Sequence, residues 1–191
     1  MLSRRLTIVS ILALVLGVPG ALLAEQAPDP ELRERLRVAA SAADSFEDRF
    51  DAEVWLTDMS ARLARQVEDP EERLRILTRV HYEATRAELQ PELVLAVIDV
   101  ESNFDRYAIS VAGALGLMQV MPFWREEIGR PGDNLNHIET NLRYGCTILK
   151  YYLDKEQGDL QRALGRYNGS LGKRKYPGKV IDKLTRKWFK A

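Results

Sequence analysis

The chain has 191 residues, which is enough for one well-packed domain with an extra subdomain but short for two unrelated domains. Lysine plus arginine equals aspartate plus glutamate at 28 each, so the overall charge gives no reason to expect a nucleic-acid partner. The single cysteine, Cys146, excludes an internal disulfide, and the fold must depend on its hydrophobic core.

Residues 1–24 have the pattern of a secretory signal peptide. Arg4 and Arg5 precede an apolar stretch that ends in small residues near Ala24. Two glycines and a proline interrupt this stretch, which is short beside the about 20 residues that a membrane span needs. We therefore expect an exported protein, periplasmic or in the cell envelope, and treat a retained membrane anchor as the alternative.

The mature chain has the apolar periodicity of helices almost throughout, and alternating strand patterns are rare. This pattern predicts an all-α protein. The predicted helices cover residues 30–43, 47–65, 70–88, 91–103, 117–128, 138–155, 159–168 and 177–189.

Residues 91–101, PELVLAVIDVE, are apolar on every side before Asp99, which predicts a helix in the centre of a domain. Asp99 and Glu101 are two residues apart and point to opposite sides, so they cannot form a catalytic pair. Glu101 follows an apolar face at the negative end of the helix dipole, and both conditions raise a carboxyl pKa. A proton donor at neutral pH is one interpretation, and a helix-end glutamate paired with Arg106 is the other.

The following loop contains SVAGALGLMQ, residues 110–119, with two glycines that permit positive φ and close backbone approach. Ser110 is placed to donate a hydrogen bond to Glu101, and Gln119 offers a donor and an acceptor to a polyhydroxylated ligand. A phosphate-binding loop is excluded, because no strand precedes the glycines and no Gly-Lys-Ser/Thr follows them.

These motifs resemble the soluble lytic transglycosylase (SLT) family of peptidoglycan-cleaving enzymes, which have a lysozyme-like fold. The resemblance rests on the Glu-Ser pair with the GALGLMQ loop, on NLRYG at 141–145 and on RYNGS at 166–170. It implies a lysozyme-like helical catalytic domain over residues 80–191, preceded by a helical N-terminal extension over 25–79.

The resemblance also implies roles for individual residues. Glu101 matches the catalytic acid and base, Ser110 matches the serine that orients it, and Tyr167 matches a tyrosine close to it. The residues assigned to substrate binding are Met118, Gln119, Asn141 and Asn168. In the family the acid protonates the oxygen between N-acetylmuramic acid and N-acetylglucosamine, and then takes the proton of the muramoyl 6-hydroxyl. A 1,6-anhydro ring closes without water, no cofactor is involved, and the expected partner is the peptidoglycan glycan strand.

A standard glycosidase needs a second carboxylate about 5 to 10 Å from the first. The candidates here have no counterpart in the family's catalytic motif, and we expect them to be solvated or to cap helices: Asp105, Glu126, Glu127 and Asp133. Two alternative functions stay open, a lysozyme-type muramidase that uses water and a non-catalytic peptidoglycan-binding protein of the envelope. His81 and His137 lack the spacing of metal ligands, so no metal site is expected.

Residues 173–191 form a basic tail, with eight lysines and arginines against one aspartate. Such a tail suits weak association with an anionic envelope surface. A solvated helix with one apolar face is the alternative interpretation, and the two can coexist.

Overall fold

A computed structural model describes residues 48–189, together with residues 34, 35, 39 and 44–46. The described part forms seven α-helices and one π-helix, and its extended pairing is limited to isolated bridges. The helices are α1 (Arg49–Leu63), α2 (Pro70–Arg86), α3 (Pro91–Glu101), α4 (Trp124–Ile128), α5 (Ile138–Lys155), α6 (Leu160–Tyr167) and α7 (Lys175–Lys183), and the π-helix covers Leu184–Trp188. The all-α prediction is confirmed. The predicted signal peptide and most of the helix predicted over 30–43 lie outside the described residues.

Helix α3 is the central helix of the fold, as its sequence predicts. All side chains from residue 93 to residue 99 are buried, and the helix packs against α2, α7 and the π-helix. Pro91 occupies the first turn, where its missing N–H is not needed. Asn103 and Phe104 take positive φ and end the helical path just beyond Glu101. The last turn of α3 therefore carries Glu101 to the edge of the core.

Asp99 attaches the C-terminal segment to α3. Its side chain is fully buried and accepts hydrogen bonds from Lys183 Nζ at 2.7 Å, Lys187 Nζ at 2.8 Å and Trp188 Nε1 at 3.1 Å. Burial alone would raise the pKa of Asp99, but the hydrogen bonds from the two lysines outweigh burial and lower it. Asp99 is therefore an ionised structural anchor, and Glu101 points elsewhere.

The helix predicted over 117–128 is wrong in its first half. Leu115 and Val120 exchange two backbone hydrogen bonds of 3.0 Å, which closes a tight turn. Gly116 and Gln119 have φ of +71° and +48°, a left-handed conformation that interrupts a right-handed helix. Only residues 124–128 form a helix. Leu117, Met118 and Val120 are buried from this turn rather than from a helix.

The described N-terminal segment packs against α2. Ser45 Oγ and His81 Nδ1 are 2.8 Å apart, and the ring of Phe46 stacks on that of His81 at 3.5 Å between centroids. Burial lowers the pKa of His81 to about 4, so the ring is neutral at pH 7. The buried side chains of α1 belong to the same hydrophobic core as those of α3. The boundary between an extension and a catalytic domain at residues 79 and 80 stays a prediction.

Cys146 is a free thiol that is completely buried in this core. Within the described part of the chain, the helices lack the combined length and apolarity that crossing a bilayer would require.

Candidate active site

Glu101 lies where the buried helix α3 reaches the edge of the core. Its side chain is half-buried, and the loss of hydration around the charged form raises the pKa of the carboxyl to about 7. The hydroxyl of Tyr176 donates a hydrogen bond to Glu101 Oε1 at 2.6 Å. This bond favours the charged form and offsets part of the effect of burial on the pKa. Glu101 can therefore give up and regain a proton near neutral pH.

Tyr176 is a site residue that the sequence analysis missed. It lies in the first turn of α7 and is 9% exposed. Burial raises its own pKa well above the ordinary value, so the hydroxyl stays protonated and can donate. The one sequence feature that could have pointed to it is its position directly before Pro177, where the sequence predicted the start of a helix. Its contact with Glu101 joins residues 75 positions apart and depends on how α7 packs against α3.

Tyr167, at the end of α6, connects that helix to the loop beyond Glu101. Its hydroxyl donates to the carbonyl oxygen of Met118 at 2.7 Å. Burial, with a contribution from the charge of Glu101, raises the pKa of Tyr167 well above its usual range. The phenol therefore stays neutral, and it positions the loop through its hydrogen bond. A direct catalytic role for Tyr167 stays a prediction.

Ser110 forms its side-chain hydrogen bond inside its own loop, where Oγ accepts from the backbone N–H of Ala114 at 3.0 Å. The predicted bond between Ser110 and Glu101 is not among the contacts of the described residues, and its orienting role stays a prediction. Ser102, which the sequence analysis did not single out, connects α3 to this loop. Its Oγ donates to the carbonyl oxygen of Leu117 at 2.7 Å, which joins the end of α3 to the loop.

Gln119 is half-buried in the tight turn of this loop. Its Nε2 donates to the carbonyl oxygens of Ala108 at 3.1 Å and Gly116 at 3.0 Å. These bonds hold the amide in one orientation, so its carbonyl oxygen is the part of the side chain that can accept a hydrogen bond from a ligand. The substrate contact predicted for Gln119 is therefore limited to one hydrogen-bond acceptor, this carbonyl oxygen.

Asn141 is 1% exposed and bonds entirely to backbone groups. Oδ1 accepts from Met118 N at 2.8 Å, and Nδ2 donates to the carbonyl oxygens of Leu115 and Leu135, each at 2.8 Å. A Cβ atom on Gly116 would lie 2.5 Å from Asn141 Nδ2, so this close approach requires glycine. In this geometry Asn141 positions the loop, and the sugar contact that the family resemblance implies for it stays a prediction.

Met118 is fully buried, and the substrate-binding role that the family resemblance implies for it stays a prediction. A Cβ atom on Gly145 of α5 would lie 2.3 Å from Met118 Sδ, which shows how closely the thioether packs on that helix. The residue contributes to the site through its backbone, because its N–H bonds Asn141 and its carbonyl oxygen bonds Tyr167.

A cavity of about 290 Å³ adjoins Glu101. Its lining brings Glu101 together with Tyr176 and with Asn168, an exposed residue that the sequence assigned to substrate binding. Among the described residues, Glu101 is the only acid in this lining. The site therefore offers one acid of pKa about 7 beside a space open to a ligand.

Residues 79–189 match the family model described as Transglycosylase SLT domain, and this match covers more than half of the chain. The chain belongs to the transglycosylase SLT domain family. Membership is in keeping with the lysozyme-like helical fold expected from the sequence. Helix α1 and the first part of α2 precede the SLT match.

Two curated relatives are similar to this SLT domain. A transglycosylase of Enterobacteria phage PRD1 is 33% identical over 104 residues, which are 51% of this chain and 38% of the phage protein. A membrane-bound lytic murein transglycosylase C of Serratia proteamaculans is 32% identical over 100 residues, which are 44% of this chain and 28% of that protein. The chain thus spans well under half the length of either relative.

Among solved structures, an inactive mutant of the lytic transglycosylase Slt from Pseudomonas aeruginosa resembles the chain with a TM-score of 0.45 and 21% identity. The match covers 83% of this chain and 31% of that one.

A larger cavity of about 590 Å³ lies elsewhere in the SLT domain, between α2, α5 and the segment after α4. Three arginines from its lining, Arg79, Arg86 and Arg143, form ion pairs with the fully buried Glu83. This network explains the polar character of the cavity. The pKa values of two acids in its lining, Asp133 and Glu139, are lowered by hydrogen bonds from Tyr144 and Arg75, whereas burial raises the pKa of Glu101. Within residues 48–189 no three potential metal ligands cluster together.

Proposed function

We propose that this SLT domain is a peptidoglycan lytic transglycosylase. It would cleave the β-1,4 bond between N-acetylmuramic acid and N-acetylglucosamine and leave 1,6-anhydromuramoyl ends, with a role in cell-wall remodelling. The observation that carries the proposal is Glu101, an acid with a pKa of about 7 in a cavity to which the described residues contribute no second carboxylate. A reaction in which the substrate supplies its own nucleophile needs one such acid.

The reaction has two proton transfers at Glu101. The protonated carboxyl gives its proton to the glycosidic oxygen as the bond from muramoyl C1 to that oxygen breaks. The resulting carboxylate then takes the proton of the 6-hydroxyl while O6 bonds to C1. Glu101 ends protonated, no water is consumed, and the leaving N-acetylglucosamine carries the first proton. Tyr176 stabilises the carboxylate between the two steps through its hydrogen bond.

The loop of residues 108–120 carries Met118 and Gln119, two of the residues that the family resemblance assigns to substrate binding. Asn141, Ser102 and Tyr167 each hold the backbone of this loop by a hydrogen bond, so its position relative to Glu101 is fixed from three helices. Because the loop is already held in position, binding of the substrate does not have to order it. Gln119 and Asn168 are the predicted substrate ligands that this geometry leaves with groups to offer.

Mass spectrometry of peptidoglycan digested with the protein tests the proposal. Anhydromuramoyl ends are expected. Reducing muramoyl ends would identify a hydrolase of the lysozyme type instead, and intact strands would identify a non-catalytic binding protein.

Replacing Tyr176 by phenylalanine tests the proton chemistry. For the native enzyme kcat/KM should fall as the pH rises through about 7, because the reaction begins with protonated Glu101. Tyr176→Phe removes a hydrogen bond that favours the charged form, so the pKa of Glu101 should rise. We expect the midpoint of this fall to move up by about one pH unit.

The control for this substitution is Tyr82→Phe, an exposed tyrosine of α2 outside the cavity. Both variants are compared in full profiles of kcat/KM against pH. A midpoint that stays at its native value in Tyr176→Phe would contradict the assigned role of the hydrogen bond.

We also propose that the protein acts in the cell envelope after export, where its substrate lies. The predicted signal pattern in residues 1–24 and the membrane-bound relative of Serratia proteamaculans support this location. Association of the basic tail with an anionic envelope surface is a further expectation. In the described tail, Lys183 and Lys187 bond to Asp99, which leaves fewer free cations for a surface than the sequence suggests.

A further inference from the structure

Three lysines surround the same cavity as Glu101. Lys173, Lys175 and Lys179 all contribute to its lining, and all three are exposed. We call them the lysine rim. Within the described part of the chain no ion pair involves any of them, whereas Lys183 and Lys187 of the same tail both bond to Asp99. The rim lysines therefore differ from their neighbours in having no protein anion to neutralise them.

The cavity has an excess of positive charge. Glu101 is the one acid that the described residues contribute to it, and the pKa of about 7 keeps much of this carboxyl neutral at and below that pH. Three ammonium groups at one opening repel one another and attract a negatively charged ligand group. Ser170, in the same lining, has a buried hydroxyl oxygen without a hydrogen-bond partner in the described structure, and it adds a donor for such a group.

The size of the cavity limits what it can hold. At about 290 Å³ it lies at the lower end of the range for small-molecule pockets, about 300 to 1,000 Å³. A substituent of a single sugar fits within this volume. The substrate of the proposed reaction carries such a substituent, since each muramoyl residue bears a lactyl ether at O3. That ether ends either in a free carboxylate or in a peptide that has carboxylates of its own.

We propose that the lysine rim binds a carboxylate of the muramoyl O3 substituent and so selects peptidoglycan over uncharged glycans such as chitin. This inference rests on the proposed function. The carboxylate has two possible sources, the lactyl group of a peptide-free strand and the stem peptide of a substituted strand. In both cases the rim would act as a specificity determinant next to the reacting bond.

Binding is measured with the Glu101→Gln protein, so that strands stay intact and no cleavage is needed. Four ligands are compared: peptide-free strands, the same strands with lactyl carboxylates converted to amides, peptide-bearing strands, and peptide-bearing strands with amidated carboxylates. The rim variant adds Lys173→Gln, Lys175→Gln and Lys179→Gln. The control variant adds Arg65→Gln, Arg130→Gln and Lys155→Gln, three exposed cations outside the cavity lining, with the same change in net charge.

Amidation of the ligand is expected to weaken binding to the parent protein about 10-fold, as is the rim substitution with unmodified strands. The two losses should not add, because both remove the same interaction. If these losses occur only with peptide-free strands, the rim binds the lactyl carboxylate. If they occur only with peptide-bearing strands, the rim binds a carboxylate of the stem peptide. Equal losses in the rim and control variants, or indifference to amidation, would overturn the inference.

This outcome can be separated from failure of the proposed function. The native protein is assayed in parallel for anhydromuramoyl products. Binding that depends on the rim together with absence of those products refutes the transglycosylase proposal and leaves the rim's ligand assigned. If the products form but binding does not depend on the lysine rim, the inference about the rim is refuted and the transglycosylase proposal stands.

Discussion

Glu101→Gln is expected to lower the rate of formation of anhydromuramoyl ends by about 100- to 10,000-fold, the usual range for the loss of a general acid or base. Glutamine keeps the size of the side chain and can still accept the hydrogen bond from Tyr176. It cannot donate a proton to the glycosidic oxygen or take one from the 6-hydroxyl. The rate is measured by quantifying anhydro products over time by mass spectrometry. The matched control is Glu126→Gln, an exposed acid of α4 that should retain full activity.

The same substitution should make the protein more stable at high pH. Burial raises the pKa of Glu101 from 4.5 to about 7, which means that the folded state disfavours the charged form by about 3 kcal/mol. This cost is absent below pH 4.5, where the carboxyl is protonated in both the folded and unfolded states, and it is complete above pH 7. Urea unfolding of Glu101→Gln and the native protein should therefore agree near pH 4 and differ at pH 8. Equal stabilities at pH 8 would show that the carboxyl is better solvated than its position indicates.

Asp99→Asn should have the opposite effect and lower the free energy of unfolding at pH 7 by about 3 kcal/mol. The substitution leaves the ammonium groups of Lys183 and Lys187 facing a neutral, fully buried amide. Both lysines are partly exposed and can turn towards water, which places the cost at the lower end of the range for a broken buried pair. Because the pKa of Asp99 is lowered in the folded state, this contribution is present at neutral pH and is lost as the solution becomes acidic.

The comparison for Asp99→Asn is Asp182→Asn. Asp182 pairs with Arg186 on the surface, where its side chain is 54% exposed, and such pairs contribute about 0 to 1 kcal/mol. Both variants are unfolded with urea at pH 7 and again near pH 3. Similar losses for the two substitutions at pH 7 would refute the role of Asp99 as an anchor.

The two acids of α3 illustrate what the sequence could predict. Their spacing placed them on opposite sides of a buried helix, and the apolar run before Glu101 predicted its raised pKa. Those conclusions depend on residues within one helix, whose geometry is regular. The partners of both acids, Tyr176, Lys183 and Lys187, come from a segment 75 or more residues away, and helical periodicity does not tell which helices meet.

The loop of residues 108–120 shows a second limit of prediction from the sequence. Residue type alone did not distinguish a ligand for sugar from a ligand for backbone, since Asn141 has the same amide group in either role. Its burial and its three backbone partners favour the second role. Similarly, the apolar spacing of 117–128 is compatible with a helix, and the left-handed backbone of Gln119 is not a conformation that its residue type predicts.

The site at the end of α3 is completed by α7 and the π-helix, so it can form only after both of these helices have been made. Tyr176 contacts one acid of α3 while Lys183, Lys187 and Trp188 contact the other, so residues 175–188 hold both sides of that helix. Until a growing or translocating chain has exposed these residues, Glu101 lacks its hydrogen bond from Tyr176, and Asp99 lacks its bonds from the two lysines. The complete site therefore forms only after residues 175–188 have been made, and we expect chains that end before residue 175 to be inactive.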